Sequence, residues 1–360
     1  MKYIKEFRDP KVVKNMLEKL ASKCNKEITI MEVCGTHTMS IFKNGVRDLL
    51  PKNIKLISGP GCPVCVTPQG YIDTAIELSS RDDVIITTFG DLIKIPGTKS
   101  TLQKEKALGR DIRIVYSPLH SLDIAKENPD KEVIFLGVGF ETTAPIIALS
   151  VYNAKNQNIN NYSVLHSIKT MPQTMKALAI DKEIKIDGFL CPGHVSTIIG
   201  AKPYEFLASD YNVPLVIAGF ESTDIVAGIY TLVEMINNKE YKVQNIYNRL
   251  VKYEGNEKAL DIMDEVLNQC NSVWRGLGSI ENTGFEFKEE YKIYDVKNKL
   301  NIEILESNPP KGCLCGEILK GIKNPTECKL FGKVCNPQNP IGACMVSEEG
   351  TCAAYYKYGR

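Results

Sequence analysis

The chain has 360 residues, 43% of them hydrophobic, with 44 basic and 43 acidic side chains and a formal net charge of +1. That length suits two or three cored domains, and the balanced charge provides no long-range basic field, which argues against nucleic acid as a partner. The longest apolar stretches, such as 213–220, fall far short of the roughly 20 residues a membrane-spanning helix needs, and the N-terminal MKYIKEFRDP lacks the apolar core and cleavage site of a signal peptide.

The expected location is therefore the cytoplasm. In a reducing compartment, twelve cysteines point to metal ligation or redox work and not to a disulfide framework.

Asp9 precedes Pro10, and Val12, Val13, Met16, Leu17 and Leu20 follow at helical spacing, which predicts a capped helix. Short Val/Ile/Phe-rich runs then recur at 28–33, 54–57, 84–88, 112–116, 133–138, 163–166, 188–191 and 215–218, separated by helical stretches. Such runs are expected of buried parallel strands in α/β units, whose C-terminal ends carry ligand-binding loops.

The unusual residues sit in those loops: Cys34-Gly-Thr-His37, Gly59-Pro-Gly-Cys62-Pro-Val-Cys65, Gly139-Phe-Glu141-Thr142-Thr143 and Cys191-Pro-Gly-His194. Gly139-Phe-Glu-Thr-Thr is echoed by Gly219-Phe-Glu-Ser-Thr. The expected fold is α/β, with two similar parallel-sheet lobes facing a cleft and a small C-terminal domain. Residues 230–267 read as helical, Cys24 and Cys270 as buried small hydrophobes on helical stretches, and Trp274 with Arg275-Gly-Leu-Gly as a packed turn. Residues 282–305 read as a strand-containing linker, closed by Pro309-Pro310. The expected domains are 1–118, 119–305 (with a return to the first after about 215) and 306–360.

The tail places Cys313, Cys315, Cys328, Cys335, Cys344 and Cys352 among many Gly and Pro residues. With little to bury, it calls for a metal centre to supply folding free energy. Zinc takes four thiolates but favours tight C-x₂₋₄-C pairs, which are absent; a [4Fe–4S] cluster accepts dispersed ligands. Cys313 and Cys315 are too close to share one cluster easily, and Gly316 favours Cys315 by letting backbone approach.

Cys62-Pro-Val-Cys65 has the spacing of a dithiol redox pair held in a rigid turn. Cys34 and His37 place a thiol and an imidazole at a strand end, where the imidazole would tune the thiol or take its proton. Cys191 and His194 form a second such loop. Glu141, Thr142 and Thr143 offer either a carboxylate in the cleft or, with Thr143, a helix cap; Glu221 and Asp224 repeat the choice. His120 and His166 read as structural.

Met31-Glu-Val-Cys-Gly-Thr-His-Thr38, Gly59-Pro-Gly-Cys-Pro-Val-Cys-Val-Thr-Pro68, Gly139-Phe-Glu-Thr-Thr-Ala-Pro145, Cys191-Pro-Gly-His-Val-Ser196 and the tail segments Leu330-Phe-Gly, Gly342-Ala-Cys-Met-Val-Ser and Cys352-Ala-Ala-Tyr-Tyr resemble the HypD family of [NiFe]-hydrogenase maturation proteins, and the resemblance spans essentially the whole chain. Met39 departs from it, standing where many members have a second histidine.

The resemblance implies a scaffold that, with a HypC-type chaperone, assembles the Fe(CN)₂CO group, cyanide arriving from a HypE-type partner that is supplied by a HypF-type enzyme. It implies that Cys34 binds the iron, which favours soft donors, and that His37 orients or deprotonates it. Cys62 and Cys65 would store two electrons, and a [4Fe–4S] cluster on Cys315, Cys328, Cys335 and Cys352 would feed them. Two other classes remain open from the residues: an iron–sulfur dithiol oxidoreductase that reduces a protein disulfide, and a zinc-stabilised binding module.

Overall fold

The computed structural model describes residues 9–307 and 309–359; the stretch 1–8, on which most of the signal-peptide reading rests, lies outside them. Asp9 caps the first helix, Pro10–Lys23, by accepting a hydrogen bond from the Lys11 amide at 2.8 Å.

Among the described residues, nine parallel strands form two sheets. The first has the order β2-β1-β7-β8-β9, from Ile28–Glu32 (β1), Ile54–Ser58 (β2), Gly188–Cys191 (β7), Leu215–Ile217 (β8) and Val243–Asn245 (β9). The second has the order β4-β3-β5-β6, from Val84–Thr88 (β3), Ile112–Ile114 (β4), Glu132–Gly139 (β5) and Tyr162–Ile168 (β6). The chain thus leaves the first sheet after Ser58 and returns at Gly188, where Phe189 lies beside Met31.

The pleat explains the continuous apolar runs. Along β5, Val133 and Phe135 face helices Pro118–Glu127 and Ala144–Asn156, while Ile134, Leu136 and Val138 face the other way. Along β1, Ile28 and Ile30 pack under helices Pro10–Lys23 and Ser222–Asn238, while Met31 faces away from them. The second face of each sheet joins one shared core, which also takes in Trp274, Cys315 and Cys344. Strands buried on both faces need no polar side, hence their unbroken Val/Ile composition.

Two stretches differ from the sequence expectation. The region 230–267 is helical over Ser222–Asn238 and Glu257–Val266, but β9 lies between them as an edge strand. Cys270, expected on a helix, lies on Leu267–Trp274 (β10), which pairs antiparallel with Gly278–Phe287 (β11). Leu267, Cys270 and Trp274 are spaced by three and four residues, which imitates a helix. The hairpin forms because Gly276 and Gly278 take φ of +81° and +80° in the connecting turn, a region open to glycine at little steric cost. Among the described residues, no helix is long and apolar enough to cross a membrane.

The hairpin docks on the end of β6 through Lys169, which bridges to Gly284. Because Gly284 has no side chain, the Lys169 ammonium crosses it and donates to Ser272 Oγ at 2.5 Å. Lys169 is only 3% exposed, and burial holds its pKa down to about 8 against an ordinary 10.5. The unfolded chain therefore binds the extra proton between pH 8 and 10.5. The stability penalty is full below pH 8 and relieved as pH rises to 10.5. Unfolding free energy is expected to rise by roughly 3 kcal/mol more across that window in the parent than in Lys169→Met. Denaturant titrations of both proteins at pH 8 and 10 check it; equal slopes would refute it.

Candidate functional site

In the first sheet, β1 and β2 run one way from the centre, and β7, β8 and β9 the other. The gap between β1 and β7 is therefore a topological switch point, where open parallel sheets form their crevice. The four adjacent strands β2, β1, β7 and β8 end in the Cys62–Cys65, Cys34–His37, Cys191–His194 and Gly219–Glu221 loops. Sheet order, more than sequence proximity, brings these motifs to one edge.

Cys34 is the residue before helix Gly35–Lys43 and is 7% exposed. Burial pushes its thiol up to about 12, with nearby Glu349 adding to the effect; the His37 and Thr36 backbone amides oppose it by favouring the thiolate. Glu32, 1% exposed, fixes the turn: its carboxylate accepts from the Cys34 amide at 3.2 Å and from Thr38 Oγ1 at 2.5 Å. Burial raises its pKa to about 7, against hydrogen bonds from Ser58 and Thr38.

The neighbouring loop is pressed directly on Cys34. A Cβ on Gly61 would lie 2.5 Å from Cys34 N, and the Gly35 amide donates to Gly61 O at 3.0 Å. Only glycine lets the two backbones meet. Cys62 and Cys65, both buried, are joined as a disulfide.

His37 is fully buried. Its Nε2 donates to Gly219 O at 3.0 Å, while Nδ1 has no partner. Burial lowers its pKa to about 4, so the ring is neutral and keeps a free lone pair on Nδ1. Phe220 packs against both His37 and His194, at centroid distances of 4.8 and 4.1 Å. The tail closes over this edge: Thr36 Oγ1 donates to Glu349 Oε1 at 2.8 Å and lies 3.5 Å from His194 Nδ1. Behind it, Asp224 pairs with Arg249.

Cys191 lies in the core, and burial raises its thiol pKa strongly. Glu141 lies two residues past the end of β5 in the other sheet. One carboxylate oxygen accepts from the Met171 amide at 2.7 Å; the other is buried without a partner. Burial raises this carboxyl to about 7, and the group lines a cavity of about 790 Å³ with Thr170, Gln173 and Lys202. The Tyr204 phenol lies within electrostatic reach of Cys191, Glu141 and Cys34. Thr143 precedes helix Ala144–Asn156 but makes no side-chain cap; it packs against Gly139, and Thr142 is exposed. His166 pairs with Asp295 at 3.3 Å, a structural role.

In the tail, the Cys315 and Cys344 sulfurs lie 3.3 Å apart. Cys313 contacts Cys315, and Cys344 contacts Cys352. Cys315 and Cys352 of the sequence-based set thus lie on a chain of four thiols with Cys313 and Cys344. Cys328 Sγ points instead at Gly312 O, and Cys335 Sγ accepts from the Ile341 amide. Among the described residues, no three His, Cys, Asp or Glu groups are already arranged to hold a metal ion. The donor set nonetheless fits a soft metal group: sulfur donors gathered in a segment of very short helices, which binding would draw together.

Sequence reasoning assigned no role to Glu32, Phe220 or Glu349 and read Arg275 only as part of a packed turn. Glu32 had a signal, a carboxylate inside an otherwise apolar strand. The other three come from distant segments that only the sheet order and tail docking bring in.

These features define an α/β protein with a thiol centre at a sheet switch point and a cysteine-rich tail packed beside it. Residues 11–359 match the HypD family, described as the hydrogenase formation hypA family. The chain is 42% identical over 371 residues to the hydrogenase maturation factor HypD of Rhodobacter capsulatus, covering 100% of this chain and 98% of that protein. It is 42% identical over 366 residues to the Escherichia coli protein of that name (99% and 98%) and 41% over 370 residues to that of Cupriavidus necator (100% and 98%). The chain belongs to the HypD family.

Proposed function

We propose that this chain is a hydrogenase maturation factor that holds the Fe(CN)₂CO group of a [NiFe] hydrogenase as cargo at Cys34 while the group is assembled. Beyond the family membership, the observation that carries this reading is the position of Cys34. It is a buried thiol at the switch point, with backbone amides facing its sulfur and a disulfide loop against its backbone. Low-spin iron carrying cyanide and carbonyl favours such a soft donor.

A HypC-type chaperone supplies the second protein thiolate, and a HypE-type partner delivers cyanide. The cargo sits in a cleft between two α/β lobes, one built on the sheet from 28–58 and 188–245 and the other on the sheet from 84–168. His37, held neutral by burial, helps orient Cys34, and Glu32 keeps the Cys34 turn in place. Cys62 and Cys65 cycle between disulfide and dithiol, a store of two electrons.

The tail domain, 306–360, holds a [4Fe–4S] cluster through Cys315, Cys328, Cys335 and Cys352, with Cys344, whose sulfur lies 3.3 Å from that of Cys315, as the alternative ligand. When bound, that cluster supplies single electrons. A second reading is an iron–sulfur oxidoreductase that reduces a protein disulfide, supported by the C-x-x-C spacing that brings Cys62 and Cys65 within bonding reach.

Anaerobic co-purification with a HypC-type chaperone, followed by infrared spectroscopy of the cyanide and carbonyl stretching region, separates the two. The scaffold predicts bands from both ligands in the complex. A brown protein with no such bands would favour the oxidoreductase, and a colourless one would remove the cluster from both.

A further inference from the structure

Arg275 is the least explained charged residue near the thiols. It sits in the β10–β11 turn and is only 8% exposed. Its backbone N–H donates to Val66 O at 2.7 Å, and its Nε–H donates to Thr67 O at 2.8 Å. Those carbonyls belong to the two residues after Cys65, so one edge of Arg275 fixes the end of the disulfide loop.

The other edge faces the tail. A Cβ on Gly276 would lie 2.4 Å from Gly316 Cα, which presses the turn onto the helix that starts at Cys315. Trp274, the residue before Arg275, shares one buried core with Cys315 and Cys344. The Arg275 Nη2 is buried with no hydrogen-bond partner, and no carboxylate among the described residues forms an ion pair with it. A buried guanidinium is costly unless paired. An unused buried donor on the edge that faces the tail calls for negative charge there.

We infer that Arg275 is a positioning residue that links the two sulfur centres. One edge anchors the Cys62–Cys65 loop, and the other holds positive charge against the thiolate-bound metal group of the tail. The second half rests on the cluster reading above; the first half does not. Arginine suits both tasks because its planar fork donates along two edges while staying charged, which lysine does not reproduce.

The test uses the full chain, prepared anaerobically, with Arg275→Met and Arg275→Lys. Two quantities are read: the reduction midpoint of the cluster by spectroscopically monitored titration, and the Cys62–Cys65 dithiol/disulfide equilibrium against glutathione by thiol trapping. Loss of the cation makes a negatively charged group harder to reduce. In Arg275→Met the cluster's reduction equilibrium is expected to fall about tenfold, ~59 mV for one electron, and in Arg275→Lys less than half as far on that scale. Neither variant restores the Nε–H bond to Thr67, so in both the disulfide equilibrium is expected to move severalfold toward the dithiol.

Loss of the cluster in Arg275→Met but not in Arg275→Lys supports the cation. Loss in both, or an unchanged midpoint in Arg275→Met, overturns that half. An unchanged disulfide equilibrium overturns the anchoring half. If the parent itself binds no cluster, the cluster reading falls with the cation role, and the disulfide equilibrium still decides the anchoring.

Discussion

Cys34→Ala is expected to abolish the cyanide and carbonyl infrared bands of the complex with its chaperone while leaving the fold and the tail's brown colour intact. The two effects separate because Cys34 does different work in each. For the cargo it is the proposed anchor, a thiol just before helix Gly35–Lys43, and a methyl group offers no lone pair. For the fold it is a small buried side chain whose loss opens little space. Truncations of that size cost about 1 kcal/mol, and the hydrogen bond that shapes its turn comes from its backbone amide to Glu32, which alanine keeps.

Cys191→Ala is the matched comparison. Cys191 is also fully buried at a strand end of the same sheet, and burial keeps its thiol protonated. Similar stability loss but retained bands are expected there. Bands that survive Cys34→Ala, or vanish equally in both variants, would sink the assignment of Cys34 as the anchor.

The strands were legible because parallel sheets covered on both faces leave a local trace: short Val/Ile runs that end at glycine or polar residues. The first eight strands carry that trace. β9 does not, since Val243–Asn245 is a three-residue edge strand with every residue only half-buried. β10 misleads, because its apolar residues fall three and four apart and a register shift between Cys270 and Ser272 breaks the alternation.

Sheet membership was not legible at all. Nothing local in Gly188–Cys191 says that it pairs with β1, 155 or more residues earlier, and not with β6, which it follows. The site divides the same way. Cys34, Cys62 and Cys65 are visible as residue types in glycine-rich loops. Their neighbours Glu349, Phe220 and Arg275 are ordinary residues that acquire roles only when the chain returns to the first sheet and the tail docks on it. The tail thiols illustrate the limit most clearly: spacing alone cannot tell that Cys344 lies against Cys315 while Cys328 faces a backbone carbonyl.

Gly61→Ala tests whether the two thiol loops act as one unit. Gly61 does not need a left-handed backbone; its requirement is contact. An added Cβ would lie 2.5, 2.6 and 2.7 Å from Cys34 N, Cα and C. Real Cβ atoms do not approach other atoms that closely, and backbone held between β1 and helix Gly35–Lys43 cannot swing aside as a flexible side chain would. The loops must therefore separate, which lengthens or breaks the Gly35 N–H to Gly61 O bond of 3.0 Å.

Overpacking of this kind costs about 1–3 kcal/mol, and loss of a buried hydrogen bond adds about 1. The expected result is a protein less stable by roughly 2–4 kcal/mol in denaturant titration, with iron at Cys34 lost although its sulfur is present. Gly90→Ala is the control, since its added Cβ would meet only Ile114 Cγ2 at an ordinary 3.7 Å. Iron retained in full by a correctly folded Gly61→Ala protein would mean that the Cys34 loop holds its cargo without the disulfide loop against it, and the two would then have to be treated as separate centres.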